Sequence, residues 1–325
     1  VPVVAAVDCG TNSIRLLIVK RLADDTVQEI SRRMEINRLG QGVDETGRFH
    51  PDALARTQKI LASYVDEMID AGVRRVRMVA TSASRDVENR EEFFEIARKE
   101  LGRVIPGAEA EVISGQQEAR LSFAGAVSDC TSADGSFGVV DLGGGSTEIV
   151  VGDKYQADGS VSGVDGAMSL NIGCVRLTER CLHSKPPTEA EVTEARAVAG
   201  EYLDKAFDIL PLDKVETWVG LAGTFTTIAA LVLGLKEYDP EKIHQSHISF
   251  DDVKEVTSKL LTQTPDERME GGPMHAGRAD IIGGGCVIIQ ELVKRIEANS
   301  DITEMVISER DILDGMVHDL LHRRS

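Results

Sequence analysis

VVAAVDCGTNSIRLLIV (residues 3–19) and FGVVDLGGGSTEIVVG (residues 137–152) carry one pattern twice. In each, an apolar run rich in valine ends at an aspartate, turns through glycine and small hydroxyl residues, and resumes as a second apolar run. Asp, Gly and Ser recur at offsets 0, 2 and 5: Asp8, Gly10 and Ser13 in the first copy, Asp141, Gly143 and Ser146 in the second. Two such runs joined by a short glycine-bearing link predict a β-hairpin in each copy. The aspartates stand 133 residues apart, one domain's spacing, so the chain reads as an internal duplication.

The segments after each hairpin also match. After the first, the pattern predicts a third strand near residues 27–36, a helix over 51–71 with Leu54, Ile60, Leu61, Val65 and Met68 on its apolar face, a strand over 75–80, a helix over 90–101, a strand over 110–113 and a helix from Ser114. After the second, helices over 189–207, 225–233 and 279–298 alternate with strands over 215–221 and 302–307, and a last helix spans 311–321. Three antiparallel strands and then alternating helices and strands, made twice, predict an α/β chain built on a duplicated ribonuclease-H-like plan. The expected domains are 1–125 and 126–307, with 308–325 returning to the first and a cleft between the two. The join near residues 123–134, rich in Gly, Ser, Asp and Thr, is expected to hinge.

The 325 residues suffice for two cores without disulfide or metal staples. Lys and Arg number 36 against 54 Asp and Glu, a net charge of −18, which argues against nucleic acid or an anionic membrane as partner. Thirty glycines against one Trp, four Tyr and eight Phe leave few stacking platforms for single-stranded nucleic acid. Cys9, Cys130, Cys174, Cys181 and Cys286 are odd in number and form no C-x-x-C pair, which fits a reducing cytoplasm. Asp8 and Arg15 interrupt the apolar opening before it reaches a membrane-spanning length, and no small-residue cleavage site comes after it. A cytoplasmic protein is expected.

A hairpin turn with small side chains and outward amides is an anion nest. Gly10, Thr11, Asn12 and Ser13 in one copy, and Gly143, Gly144, Gly145 and Ser146 in the other, make two such turns, each preceded by an aspartate. One alone reads as an ordinary hairpin; two related by pseudo-symmetry point to phosphate binding. Ser114 and Gln117 have the spacing of a capping box, which puts Glu118 in the first helical turn, a place that favours any acid and also holds a carboxylate rigidly.

These residues carry a resemblance. DCGTNS and DLGGGSTE look like the two phosphate motifs of the actin, Hsp70 and sugar-kinase superfamily, which implies an actin-like ATPase fold. ISGQQEARLSF, TSASRDV, NIGCVRLTE, LAGTFTTIAAL and SERDILDGMV are together similar to the exopolyphosphatase and guanosine-pentaphosphate phosphohydrolase family, in a short two-domain form. His318 beside Asp319 reads as helix surface, not as the metal site of the helical domain that larger members append. The resemblance implies that Glu118 is the base that deprotonates water and that Arg85 contacts phosphate; Gln117 stands where relatives often have a second acid. Asp141 and Glu148, seven residues apart across the turn, read either as a solvated acid pair or as two hard-oxygen ligands for magnesium, with manganese as an alternative and Asp8 contributing through water. Arg15, Arg85, Arg176, Arg268, Arg278 and Arg310 are candidate cations for a polyanion's path. Gly283, Gly284 and Gly285 read as a ligand turn or as close helix packing, and Ala222, Gly223 and Thr224 match the superfamily's nucleotide-side turn. Homodimerisation is implied by the family alone. The expected substrate is short-chain inorganic polyphosphate, with guanosine pentaphosphate second, because Trp218 sits in an apolar strand and reads as core. A superfamily kinase or a nucleotide-switched binding protein ranks below both.

Overall fold

The strand Val3–Cys9 (β1) is apolar from Val3 to Val7, before Asp8, because it is buried on both faces of its sheet. It pairs antiparallel with β2 (Ser13–Arg21), which pairs with β3 (Val27–Ile36). β4 (Arg75–Ala80) and β5 (Ala110–Val112) continue the sheet in parallel, giving the order β3-β2-β1-β4-β5. The computed structural model describes residues 2–130, 135–153, 164–270 and 272–322. It divides into two units, Val1–Leu121 with Ile312–Ser325, and Ser122–Asp311.

In the first unit the two-residue period of the strands sorts the core. Ala5, Val7, Ile14, Leu16 and Ile18 pack with α1 (Pro51–Asp70) and α2 (Arg90–Leu101) on one face. Val4, Ala6, Leu17 and Val19 pack against the C-terminal helix Ile312–His322 on the other. α1 starts where Pro51 needs no amide partner and His50 accepts from Asp52 N at 3.1 Å. α3 (Gly115–Val127) comes after β5.

The second unit repeats the plan. β6 (Ser136–Leu142), β7 (Thr147–Asp153) and β8 (Val164–Leu170) form the antiparallel meander. β9 (Val215–Leu221) and β11 (Glu304–Ile307) extend it in parallel, and β10 (Ser246–Ser249) adds an antiparallel edge, in the order β10-β11-β9-β6-β7-β8. The helices are α4 (Cys174–Cys181), α5 (Glu189–Ile209), α6 (Ala222–Val232), α7 (Phe250–Leu261) and α8 (Ile282–Asn299).

Sequence patterning misses α4, α7 and β10, and expects a third strand in the second copy without placing β8. β8, VDGAMSL, has one β-branched residue, and β10 is only four residues, SHIS. α7 carried a legible signal, a Ser249 cap accepting from Asp252 N at 3.1 Å and buried Phe250, Val253, Thr257, Leu260 and Leu261 at helical spacing. The first residues of the expected join continue α3 to Val127; residues 131–134 lie outside the described residues. Among the described residues no helix is long and apolar enough to cross a membrane.

Trp218 lies in the core, stacked on Phe207 with ring centroids 6.4 Å apart. Gly138 stands opposite it, and a Cβ there would come within 2.8 Å of the indole. Trp218→Ala is expected to destabilise the fold by about 3–5 kcal/mol, read from urea unfolding monitored by circular dichroism. Asp319 binds Arg77 Nη1 at 2.9 Å, and His318 stacks on His322.

Candidate active site

In the first unit the predicted residues gather at the carboxyl ends of the parallel strands, where ligands bind in open α/β sheets. Gly10, Thr11, Asn12 and Ser13 connect β1 to β2, with Gly10 N bonded to Ser13 O at 2.9 Å. The turn is tied down from behind: Asn37 N and Arg38 N donate to Asn12 O at 3.1 and 3.0 Å, and Gly40 N donates to Thr11 O at 2.8 Å. A Cβ on Gly40 would sit 2.1 Å from Thr11 Cγ2, so this backing requires glycine. With these carbonyls bonded inward, the amides and hydroxyls of the turn are the groups that could meet an anion. Thr11 Oγ1 is buried and has no hydrogen-bond partner among the described residues.

Arg85 and Glu118 meet. Thr81 N bonds to Cys9 O at 3.2 Å after β4, and the short helix Ser82–Arg85 comes next. Arg85 Nε donates to Ile113 O at 3.1 Å and Nη2 donates to Glu118 Oε2. The capping box is present: Gln117 N bonds to Ser114 Oγ at 3.2 Å and Ser114 N bonds to Gln117 Oε1 at 2.9 Å. Gln117 is thereby occupied as a cap, and Glu118 is buried in the first turn of α3. The first unit's other predicted acid, Asp8, is paired with Arg15, whose Nη2 lies 2.6 Å from Asp8 Oδ2.

The second turn repeats the first. Gly143 N bonds to Ser146 O at 3.0 Å, and the start of α4 backs the loop: Cys174 N donates to Gly143 O at 3.0 Å, Val175 N and Arg176 N to Gly144 O at 2.9 and 3.0 Å, and Arg176 Nε to Gly145 O at 2.9 Å. A Cβ on Gly173 would lie 2.4 Å from the Gly144 carbonyl. Gly173→Ala is therefore expected to displace this loop at a stability cost of about 1–3 kcal/mol and to weaken substrate affinity beyond that, measured as KM alongside Tm.

Asp141 and Glu148 are direct cross-strand partners in the β6–β7 register, so their side chains share one face of the sheet. Both are buried. Ser122 Oγ donates to Asp141 Oδ2 at 2.5 Å, and Ser169 Oγ donates to Glu148 Oε1 at 2.6 Å. Neither serine is apparent from motif spacing. Among the described residues no three His, Cys, Asp or Glu side chains converge as a metal cluster. Two hard-oxygen side chains on one face suit magnesium, which keeps much of its water shell.

The remaining candidates divide. Arg268 is a structural cation: it is buried, donates to Leu260 O at 2.9 Å and Ala279 O at 2.7 Å, and burial lowers its pKa. Arg310 pairs with Asp129 at 3.1 Å. Arg278 is buried against Gly223, where a Cβ would fall 1.9 Å from its guanidinium. Ala222 takes φ 73° at the start of α6, a left-handed conformation, with Thr224 buried two residues on. Gly283, Gly284 and Gly285 lie inside α8, and a Cβ on Gly284 would be 2.5 Å from Cys174 O, so close packing accounts for them. All five cysteines are buried and none forms a disulfide; burial pushes the Cys9 and Cys174 thiols up and that of Cys286 up to about 12, which disfavours their thiolates.

Residues 18–324 match the Ppx/GppA phosphatase family. The chain is 49% identical over 316 residues to exopolyphosphatase 2 of Mycobacterium tuberculosis, covering 96% of this chain and 97% of that protein. Among solved structures it is similar to an exopolyphosphatase-like protein at 41% identity and a TM-score of 0.89, covering 98% of both chains. It is also similar to the PPX-GPPA enzyme of Aquifex aeolicus at 33% identity and a TM-score of 0.77, covering 98% of this chain and 99% of that one.

Proposed function

The chain belongs to the Ppx/GppA phosphatase family, and we propose that it is an exopolyphosphatase, hydrolysing the terminal phosphoanhydride of inorganic polyphosphate to release orthophosphate. The observation that carries this reading is the doubled turn: each has its first glycine amide bonded to the serine carbonyl, and the carbonyls of Thr11 and Asn12 in one and of Gly143, Gly144 and Gly145 in the other are tied back into the protein. Such turns bind phosphate oxygens through backbone, without reading a base.

In this mechanism Glu118 takes a proton from water, the oxygen attacks the terminal phosphorus in line, and the P–O anhydride bond breaks, leaving a chain one phosphate shorter. Charge spreads over the equatorial oxygens, so positioning and electrostatics supply most of the rate. Arg85 has two tasks. In the protein as described its guanidinium holds the Glu118 carboxylate; incoming phosphate oxygens compete for the same donors, and a carboxylate relieved of its arginine is the stronger base. Asp141 and Glu148 would hold magnesium, or manganese in its place, which neutralises charge on phosphate oxygens.

Polyphosphate is preferred to guanosine pentaphosphate because a base-free chain needs only amides and cations, and Trp218, buried against Phe207, offers no face to a purine. A cytoplasmic location, read from the five cysteines that form no C-x-x-C pair, and a homodimer, on the resemblance alone, complete the proposal. The test is phosphate release from polyphosphates of several lengths, with and without magnesium. Release that requires magnesium and an apparent affinity that weakens with salt, more steeply for longer chains, are expected. No release from any length contradicts the reading.

A further inference from the structure

The two hairpins share their turn hydrogen bond and their aspartate, but they differ at the residue facing that aspartate. In the second copy the cross-strand partner of Asp141 is Glu148; at the same register position in the first copy, the partner of Asp8 is Arg15. Arg15 Nε and Nη2 both donate to Asp8 Oδ2, at 3.2 and 2.6 Å, with the two side chains only 18% and 9% exposed. The guanidinium stands where an opposing carboxylate would complete a two-oxygen site.

From this asymmetry we infer that Arg15 is the first copy's built-in cation: it occupies Asp8 in place of a metal ion, so divalent-cation binding is confined to the Asp141–Glu148 hairpin and Asp8 is a positioning residue that fixes Arg15 beside the turn of Gly10 and Ser13. The inference rests on reading Asp141 and Glu148 as cation ligands. Arginine suits the task because it stays charged and presents a planar fork of donors, and a fixed positive charge beside Asp8 opposes entry of a second dication. The duplicated fold then carries one exchangeable cation and one covalent one.

Manganese binding, measured by electron paramagnetic resonance and by calorimetry on the whole chain without substrate, tests this separately from activity. The wild-type protein is expected to bind one ion, weakened by at least about 10- to 100-fold by Asp141→Ala, since that is the usual cost of losing only a ligand's orienting partner. Asp8→Asn should leave that affinity within about twofold, since an ion-paired aspartate presents little net charge. Arg15→Glu, which recreates the second copy's acid pair, should add a second ion, whereas Arg15→Gln should not. Loss of the wild-type ion in Asp8→Asn overturns the inference, and does so even where Arg15→Glu fails to fold. A folded Arg15→Glu without a second ion also overturns it. Binding unaffected by Asp141→Ala overturns the reading of the second hairpin on which it rests.

Discussion

Glu118→Gln is expected to slow polyphosphate hydrolysis by about 100- to 10,000-fold, the usual worth of a general base. The amide keeps the shape of the side chain, and the Ser114–Gln117 capping box that starts α3 is untouched, so folding should be unaffected. The substitution also removes the charged partner of Arg85, which leaves the guanidinium available to phosphate; substrate affinity should therefore be retained or improved while kcat falls. Stopped-flow phosphate release, with equilibrium binding measured in parallel, separates the two. A near wild-type kcat in a folded Glu118→Gln protein would reduce Glu118 to an acid at a helix start.

The second large effect is on metal. Asp141→Ala and Glu148→Ala should each raise the magnesium concentration for half-maximal activity by about 10- to 100-fold, with partial rescue at excess metal. Register makes the two residues one unit, so the double variant should fall short of the sum of the singles. Ser122→Ala and Ser169→Ala, which remove hydroxyls from the same carboxylates, should shift the titration in the same direction by less. An unchanged titration in both acid variants would make the pair part of the turn's architecture.

Local order was legible where residues close in sequence settle it. The Asp-Gly-Ser offsets predict both hairpins, and the recurrence of Gly10 N to Ser13 O as Gly143 N to Ser146 O shows that equal spacing produced equal geometry. The capping box at Ser114 and the core place of Trp218 were legible for the same reason, one from three-residue spacing and the other from its apolar strand. What escaped depends on segments far apart in sequence. Arg85 reaches Glu118 across 33 residues, Ser169 reaches Glu148 across 21, and the support of the first turn comes from residues 37–40 after a whole strand. Charge alone does not sort the arginines: Arg268 is one of six candidate cations by sequence, and in the structure two backbone carbonyls in a buried site claim it.

The proposed preference for a phosphate chain over a nucleobase is the claim to test. The most direct measurement compares kcat/KM for tripolyphosphate, longer polyphosphates, guanosine pentaphosphate and ATP on one preparation with saturating magnesium. A polyphosphate is expected to give the highest value, and guanosine tetraphosphate to compete no better than an equally charged polyphosphate. A far higher kcat/KM for guanosine pentaphosphate, with tight competition by the tetraphosphate, would contradict the proposed function and place a guanine-binding surface beside these turns.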